Sequence, residues 1–139
     1  MKRKPSKALV LLRPSKIEGI GCFTDIKIGK GEIVRVWDGK DSEWVPLAKA
    51  HASPQAAMYK RMGIRNEGGY WAPKDFLVMS AGWYMNHSAT PNLQSDDGDR
   101  TYYAVRDIKA GEELTMDYRR MDDRHDNLLR DVKVPAGKR

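Results

Sequence analysis

Gly, Pro and Asp residues divide the apolar residues of this chain into short runs, and these runs limit the length of its helices and strands. Several runs are rich in Val, Ile, Tyr and Trp, which favour β-strands. Runs this short between turn residues predict short strands rather than long helices. The predicted strands are residues 8–13, 22–28, 32–37, 70–72, 76–79, 102–105 and 114–116. We therefore predict a mostly β fold of several small sheets.

Two of these predicted strands follow one another closely near the N-terminus. Residues 22–28 and 32–37 are separated by Gly29-Lys30-Gly31, a tight turn sequence. The pattern predicts that the two strands pair as a hairpin. No internal repeat is evident along the chain.

One stretch has a composition that favours helix instead. Residues 45–62 are rich in Ala and Met, although Pro46 and Pro54 limit the length of any helix there. We expect one short helix near residues 54–62. Residues 121–132 carry spaced apolar residues and fit a polar-faced helix.

The length of 139 residues suits a single domain with one core. Residues 1–7 and 132–139 are basic and polar, which predicts disordered tails on either side of a domain at 8–131. No apolar run approaches the roughly 20 residues that cross a bilayer, and the opening residues lack a signal-peptide core. We therefore expect an intracellular protein, cytoplasmic or, in a eukaryote, nuclear, without a membrane partner.

The chain has a single cysteine, Cys22, and an uneven distribution of charge. A lone cysteine excludes an intramolecular disulfide and a cysteine-zinc cluster, so no metal site is expected. Residues 94–131 hold eleven of the 19 acidic groups but only seven of the 25 Arg and Lys residues. This acidic region would attract a cationic peptide, or its charges are simply solvated loop residues. Both interpretations stay open.

Three short motifs indicate a specific chemistry. Residues 86–92 read Asn-His-Ser-Ala-Thr-Pro-Asn, residues 111–118 read Gly-Glu-Glu-Leu-Thr-Met-Asp-Tyr, and residues 19–21 read Gly-Ile-Gly. Together they resemble the signature motifs of the SET domain, a family of S-adenosylmethionine-dependent protein lysine methyltransferases. The resemblance covers about residues 13–120 and leaves 121–131 as a segment after the motif-bearing core.

The resemblance implies a fold, an activity and a set of site residues. The fold is the β-clip of SET domains, in which the last two motifs cross in a knot-like arrangement beside one short helical insertion. The activity is methyl transfer from S-adenosyl-L-methionine to a lysine in a basic protein or histone-like tail. Tyr118 is then the catalytic residue and also borders the cofactor. Asn86, His87 and the segment Glu18-Gly19-Ile20 are the other cofactor-binding residues.

Each of these assignments has an ordinary structural alternative. Tyr118 could be a half-buried residue at the end of a strand, Asn86 a turn residue, and His87 a core histidine or a general base. A Gly-x-Gly sequence is weak by itself, because Gly serves any turn that needs positive φ.

Tyr84 and Met116 are the residues that the motifs place at a substrate lysine channel. Met116 stands where the family usually has Phe or Tyr, and this position influences how many methyl groups are added. A thioether is flexible and cannot hydrogen-bond as a phenol does, so Met116 is predicted to allow more than one methylation. Two further departures are Trp83, where Arg is frequent, and Arg119, where Gly is usual.

Without a cysteine-zinc segment, something else must cover the channel. Either residues 121–132 fold over it, or a second copy of the chain covers it in a homodimer. The alternative function is a catalytically weak SET-like module whose basic ends, Lys2-Arg3-Lys4 and Lys138-Arg139, bind nucleic acid or nucleoprotein. The intact motifs favour the enzyme.

Overall fold

A computed structural model of the chain describes residues 3–38, 40–66 and 68–120. Within these residues the fold is mostly β, with three small sheets and two helices, which confirms the predicted fold class. The elements are β1 Val10–Pro14, β2 Ile20–Thr24, β3 Ile33–Val34, β4 Ser42–Pro46, α1 Leu47–Ala52, α2 Ala56–Met62, β5 Ile64–Asn66, β6 Gly69–Pro73, β7 Asn86–His87, β8 Leu93–Gln94, β9 Tyr102–Ala104 and β10 Glu113–Met116. Short 3-10 helices cover Ala81–Tyr84 and Tyr118–Arg120.

The first sheet has the order β1-β2-β10-β7 and brings the three sequence motifs side by side. Strand β2 pairs antiparallel with both β1 and β10, so Cys22 lies between Leu12 and Leu114. Strand β10 then pairs in parallel with β7, which sets Met116 beside His87. The Gly-Ile-Gly, Asn-His-Ser and Asp-Tyr segments are therefore neighbours in space although they are far apart in sequence.

The main apolar core joins this sheet to the second one, which has the order β3-β9-β8. Its fully buried members come from β2, β8, β9, β10 and the segments between strands, and they include Ile28, Leu93, Ala104, Ile108 and Leu114. Tyr84 and Tyr118 pack against the edge of this cluster. The core thus supports the two aromatic residues that the motifs place at the active site.

The predicted hairpin across residues 29–31 is wrong. Strand β2 pairs with β1 and β10, whereas β3 pairs with β9 in another sheet. The turn directs the chain from one sheet to the next: Gly31 has φ +85° and donates its N–H to the Ala104 carbonyl at 2.7 Å. A turn sequence specifies a change of direction, but the strand that follows pairs with the partner that buries its apolar face.

This turn also occurs a second time, as an internal repeat that the sequence analysis missed. Residues 28–34 and 108–114 share Ile, Gly and Glu at equivalent positions, and Gly31 and Gly111 have φ of 85° and 84°. In each copy the Glu carboxylate accepts the backbone N–H of the residue three positions earlier, at 2.6 and 3.0 Å. The two Ile residues exchange both backbone hydrogen bonds, at 2.9 and 2.8 Å. The two similar turns are therefore paired with each other through their first residues, Ile28 and Ile108.

The insertion contains two helices instead of one. Pro46 is the N-cap of α1, where a proline does not interrupt the helix, and Pro54 lies in the bend between α1 and α2. Both helices lie against the third sheet, of order β4-β6-β5. Val45, Ala50 and Tyr70 form a small separate core there.

The predicted strand at residues 76–79 is also absent. Asp75 forms a turn by accepting the Leu77 N–H at 2.8 Å on its carboxylate and the Val78 N–H at 3.0 Å on its carbonyl. Leu77 is 92% exposed. The apolar run therefore lies on a turn, because a local carboxylate provides the backbone hydrogen bonds that a strand partner would otherwise make.

Residues near the N-terminus contact the second sheet. Ile33 of β3 donates to the Lys4 carbonyl and accepts from the Ser6 N–H, both at 2.8 Å. The Arg3 guanidinium stacks 3.6 Å from the Tyr103 ring centre and pairs with Asp96 at 3.1 Å. The predicted helix at residues 121–132 and the predicted tail at 132–139 lie outside the described residues. Over the described part of the chain, no helix combines the length and apolar character needed to cross a membrane.

Candidate active site

Tyr118 follows β10 after one intervening residue, Asp117, and is joined to residues 85–87 at two points. Its hydroxyl donates to the Met85 carbonyl at 2.6 Å, and its backbone N–H donates to His87 Nδ1 at 3.1 Å. The His87 and Tyr118 rings lie 5.2 Å apart. Burial raises the pKa of the Tyr118 phenol above its ordinary value of 10, with smaller contributions from Cys22 and Glu113. The phenol therefore stays neutral around neutral pH.

The contact with Tyr118 also determines which tautomer the neutral His87 ring adopts. Because Nδ1 accepts a backbone N–H, the neutral imidazole must carry its proton on Nε2. The side chain is mostly buried, with 19% of its surface exposed. Nδ1 is thus engaged by Tyr118, which disfavours a role for that nitrogen as a general base.

Asn86 is completely buried and links three parts of the site. Its Nδ2 donates to Ser15 Oγ at 2.9 Å, to the Glu18 carbonyl at 3.1 Å and to Glu113 Oε2 at 2.8 Å. A carbonyl and a carboxylate can only accept, so these partners set the orientation of the amide. Asn86 Oδ1 has no hydrogen-bond partner among the described residues. A buried acceptor of this kind is uncommon and is consistent with a functional position.

The two glycines of the Gly-Ile-Gly motif have different surroundings. Gly19 has φ +45°, and a Cβ built on it would meet only Arg61 Nη2, at 3.9 Å. A Cβ on Gly21 would instead overlap the Glu113 carboxylate and lie 3.0 Å from Asn86 Nδ2. Gly19 therefore borders open space where a ligand could approach the backbone, whereas Gly21 is needed for packing.

The two predicted channel residues have different environments. Tyr84 is half-buried, and its hydroxyl contacts Met79 Sδ at 3.9 Å. Met116 is buried and lines a small cavity of about 20 Å³ together with Leu93, Tyr102 and other residues. A cavity of this size holds about one water molecule. Met116 belongs to the main core, and Tyr84 and Tyr118 pack against that core, but neither tyrosine lines the cavity.

Arg119 makes an ion pair that the sequence analysis did not predict. Its Nε and Nη2 lie 3.0 and 2.8 Å from the two oxygens of Asp117, which is almost entirely buried. The Arg119 guanidinium beside Asp117 holds the pKa of that carboxyl below its ordinary value of 3.8. The pair flanks Tyr118 on both sides in sequence, so it stabilises the short 3-10 helix that carries the phenol.

This ion pair predicts a change in acid stability. A carboxyl whose pKa is lower in the folded state stabilises the fold above the unfolded pKa, and that stability is lost as pH falls through the folded pKa. We therefore expect Arg119→Ala to have a lower free energy of unfolding than the wild type at neutral pH. The difference should shrink below about pH 4. Urea unfolding at several pH values measures this. Arg100→Ala, at an exposed loop position, is the control, and a difference that stays constant down to about pH 2 would contradict the prediction.

The acidic loop at residues 95–101 binds mainly to itself. Asp97 accepts the N–H groups of Arg100 and Thr101 at 3.2 and 3.0 Å, and Asp99 accepts the Tyr102 hydroxyl at 2.8 Å. Asp96 pairs with Arg3. These contacts account for the acidic residues of this loop alone, since four of the eleven acidic residues at 94–131 lie outside the described residues.

Comparisons with known proteins agree with this geometry. A family model described as SET domain matches residues 19–119. The class defined by the fold and the motif strands is therefore that of SET domains, whose fold is a β-clip. The chain belongs to the SET-domain family.

Solved structures are similar to this chain over most of its length. One is a candidate histone methyltransferase of Plasmodium falciparum, with 17% identity, a TM-score of 0.48, and coverage of 85% of this chain and 95% of that one. Another is a humanized mutant of the Chaetomium thermophilum Polycomb Repressive Complex 2 bound to the inhibitor GSK126. It has 24% identity and a TM-score of 0.56, and the match covers 94% of this chain but 16% of that one. The second likeness supports the fold. A search of curated protein sequences found no match.

Proposed function

We propose that this chain is an S-adenosylmethionine-dependent protein-lysine N-methyltransferase acting on a lysine in a basic protein or histone-like tail. The observation that carries the proposal is the position of Tyr118. Its neutral phenol is half-buried beside His87 and donates to the Met85 carbonyl at 2.6 Å. Motif, fold and geometry therefore support the same residue as the centre of the site.

The residues around Gly19 fit the cofactor. Gly19 leaves open space beside a turn, Ile20 next to it is 49% exposed, and Asn86 Oδ1 is a buried acceptor without a partner among the described residues. We propose that Glu18-Gly19-Ile20, Asn86 and His87 hold the cofactor, with Tyr118 at its reactive end. When bound, S-adenosylmethionine supplies a methyl group on a cationic sulfonium.

The chain's own task is to present an uncharged amine in line with that methyl group. A lysine amine in water has a pKa of about 10.4, so deprotonation near neutral pH costs about 4 kcal/mol. Aromatic and apolar walls lower this cost, because they disfavour the charged ammonium. Tyr84 and Met116 are the proposed walls.

The phenol of Tyr118 would orient the amine without removing its proton. Its hydrogen is engaged by the Met85 carbonyl, so the oxygen lone pairs are available to accept an amine N–H. Because burial raises the pKa of the phenol, it does not ionise to act as a base in the neutral range. Its contribution is therefore alignment, which methyl transfer to a neutral amine mainly requires.

A direct assay tests the proposal. The purified chain is incubated with labelled S-adenosylmethionine and a panel of basic proteins and histone-tail peptides, and products are identified by mass spectrometry. We expect methyl groups on lysine. Binding of S-adenosylhomocysteine to the chain is measured separately by calorimetry. No transfer to any basic substrate, together with no affinity for the product cofactor, would overturn the proposal.

Met116 predicts how many methyl groups are added. The cavity beside its flexible thioether gives the side chain room to move. We expect di- or trimethyl-lysine from the wild type, and a shift toward monomethyl-lysine in Met116→Tyr, whose larger ring fills the space. Product masses at full conversion measure this. Met58→Leu, a change at an exposed methionine on α2, is the control, and a wild type that yields monomethyl-lysine alone would contradict the prediction.

A further inference from the structure

We infer that Ser15 and Glu113 are positioning residues that set the affinity for the cofactor, an inference that rests on the proposed function. They hold the turn between β1 and β2 against β7 and β10. The residues proposed to hold the cofactor belong to this turn and to β7. Neither Ser15 nor Glu113 needs to touch the ligand for this role.

Ser15 is the centre of a hydrogen-bond cluster between segments that are distant in sequence. Its hydroxyl donates to Glu113, with Oγ at 2.7 and 2.9 Å from the two carboxylate oxygens. Its Oγ accepts the Ile17 N–H and Asn86 Nδ2, both at 2.9 Å. The backbone N–H of Ser15 donates to the Gly19 carbonyl at 2.7 Å, which closes the turn.

Glu113 completes the cluster from β10. One of its oxygens also accepts from Asn86 Nδ2 at 2.8 Å. The carboxylate packs directly against Gly21, where a Cβ would lie 2.9 Å from the carboxyl carbon. Hydrogen bonds to a carboxylate are stronger than those between neutral groups. The second glycine of the motif is therefore consistent with this position of Glu113, because a Cβ at Gly21 would require the carboxylate to shift.

The cluster determines where the turn lies more than whether the fold forms. Strands β1 and β2 keep a continuous antiparallel register from Val10↔Thr24 to Pro14↔Ile20, and β2 also pairs with β10. Removing the Ser15 hydroxyl leaves these backbone pairs intact. What is lost is the Oγ bridge between the turn, Asn86 and Glu113, so the side chain of Asn86 then holds the turn only by its bond to the Glu18 carbonyl at 3.1 Å. A turn loosened in this way must be ordered again when the ligand binds, which weakens affinity.

Ser15→Ala is the central test, with Ser53→Ala as its matched control. Ser53 makes the same type of turn, accepting the Gln55 N–H at 3.0 Å, but on the helical insertion. Calorimetric titration of each chain with S-adenosylhomocysteine should show about tenfold weaker binding for Ser15→Ala and unchanged binding for Ser53→Ala. Ser15→Thr, which keeps the hydroxyl, should restore most of the affinity. Equal binding by Ser15→Ala and wild type would overturn the inference.

Steady-state kinetics and a second pair of variants distinguish a loss of cofactor positioning from general destabilisation of the fold. In Ser15→Ala the KM for the cofactor should rise while kcat at saturation stays near wild type; a fall in kcat alone would overturn the inference. Glu113→Ala should weaken cofactor binding more than Glu112→Ala, since Glu112 pairs with Arg106 on the surface at 2.7 Å. Equal weakening by both would also overturn it. If the wild type binds no S-adenosylhomocysteine, the proposed function itself fails, which is a different result from unchanged binding in Ser15→Ala.

Discussion

Replacing Tyr118 with Phe is expected to lower methyl transfer by about 100-fold or more, the size of effect seen when one preorganised polar group is removed from an active site. The ring, which packs against His87 and the main core, is retained. Only the hydroxyl that would orient the amine is lost. Cofactor affinity should change little, so the effect should appear in kcat. Single-turnover methylation and calorimetric titration measure the two quantities.

The same substitution also leaves the Met85 carbonyl without the Tyr118 hydroxyl, so a loss of about 1–3 kcal/mol of stability is expected. Thermal unfolding of the variant must therefore accompany the assay. Tyr103→Phe is a matched control, because Tyr103 is half-buried on β9 and its ring is covered by Arg3. Turnover of Tyr118→Phe within a few-fold of wild type would remove Tyr118 from the catalytic role.

Composition and turn residues predicted the mostly β fold class, whereas the β-clip and the proximity of the motifs were predicted only through the resemblance to a family. Composition and turn residues suffice to predict many short strands. They do not predict that β7 pairs in parallel with β10, which sets Met116 beside His87. Strands of two to five residues contain too little alternation to specify a partner. The parallel pair therefore depends on the whole core, and only the motif identities indicated it.

Ser15 is a residue of the site for which the sequence contains a local signal, namely a serine turn. A serine that accepts the N–H two residues later is a recognised turn motif, and Ser15 does this with Ile17. Its bond to Glu113 spans 98 residues of sequence, and no local pattern encodes such a distance. Glu113 belonged to the quoted motif, yet its partner could not be identified before the fold brought β2 and β10 together. Long-range polar contacts of this kind are the part of the site that sequence alone could not provide.

Gly82 is another residue whose importance only the structure reveals. It lies in the 3-10 helix that leads into Met85 and Asn86, and its backbone N–H donates to the Val36 carbonyl at 2.8 Å. The Trp37 ring packs onto its α-carbon, so that a Cβ there would lie 2.6 to 2.7 Å from three ring atoms. The same ring meets Trp83 edge to face, with centroids 5.0 Å apart. A methyl group at position 82 would therefore displace a large rigid ring.

Gly82→Ala is expected to destabilise the protein by about 2 kcal/mol, the middle of the range for overpacked cores, and to lower Tm by about 5–10 °C. Gly68→Ala is the matched control, since a Cβ at Gly68 meets nothing within 4 Å. Trp37→Leu should restore part of the loss in the Gly82→Ala background, because the smaller side chain makes room for the methyl group. A double-mutant cycle by urea unfolding measures that coupling. Additive losses would show that the contact between Gly82 and Trp37 is not the cause of the destabilisation in Gly82→Ala.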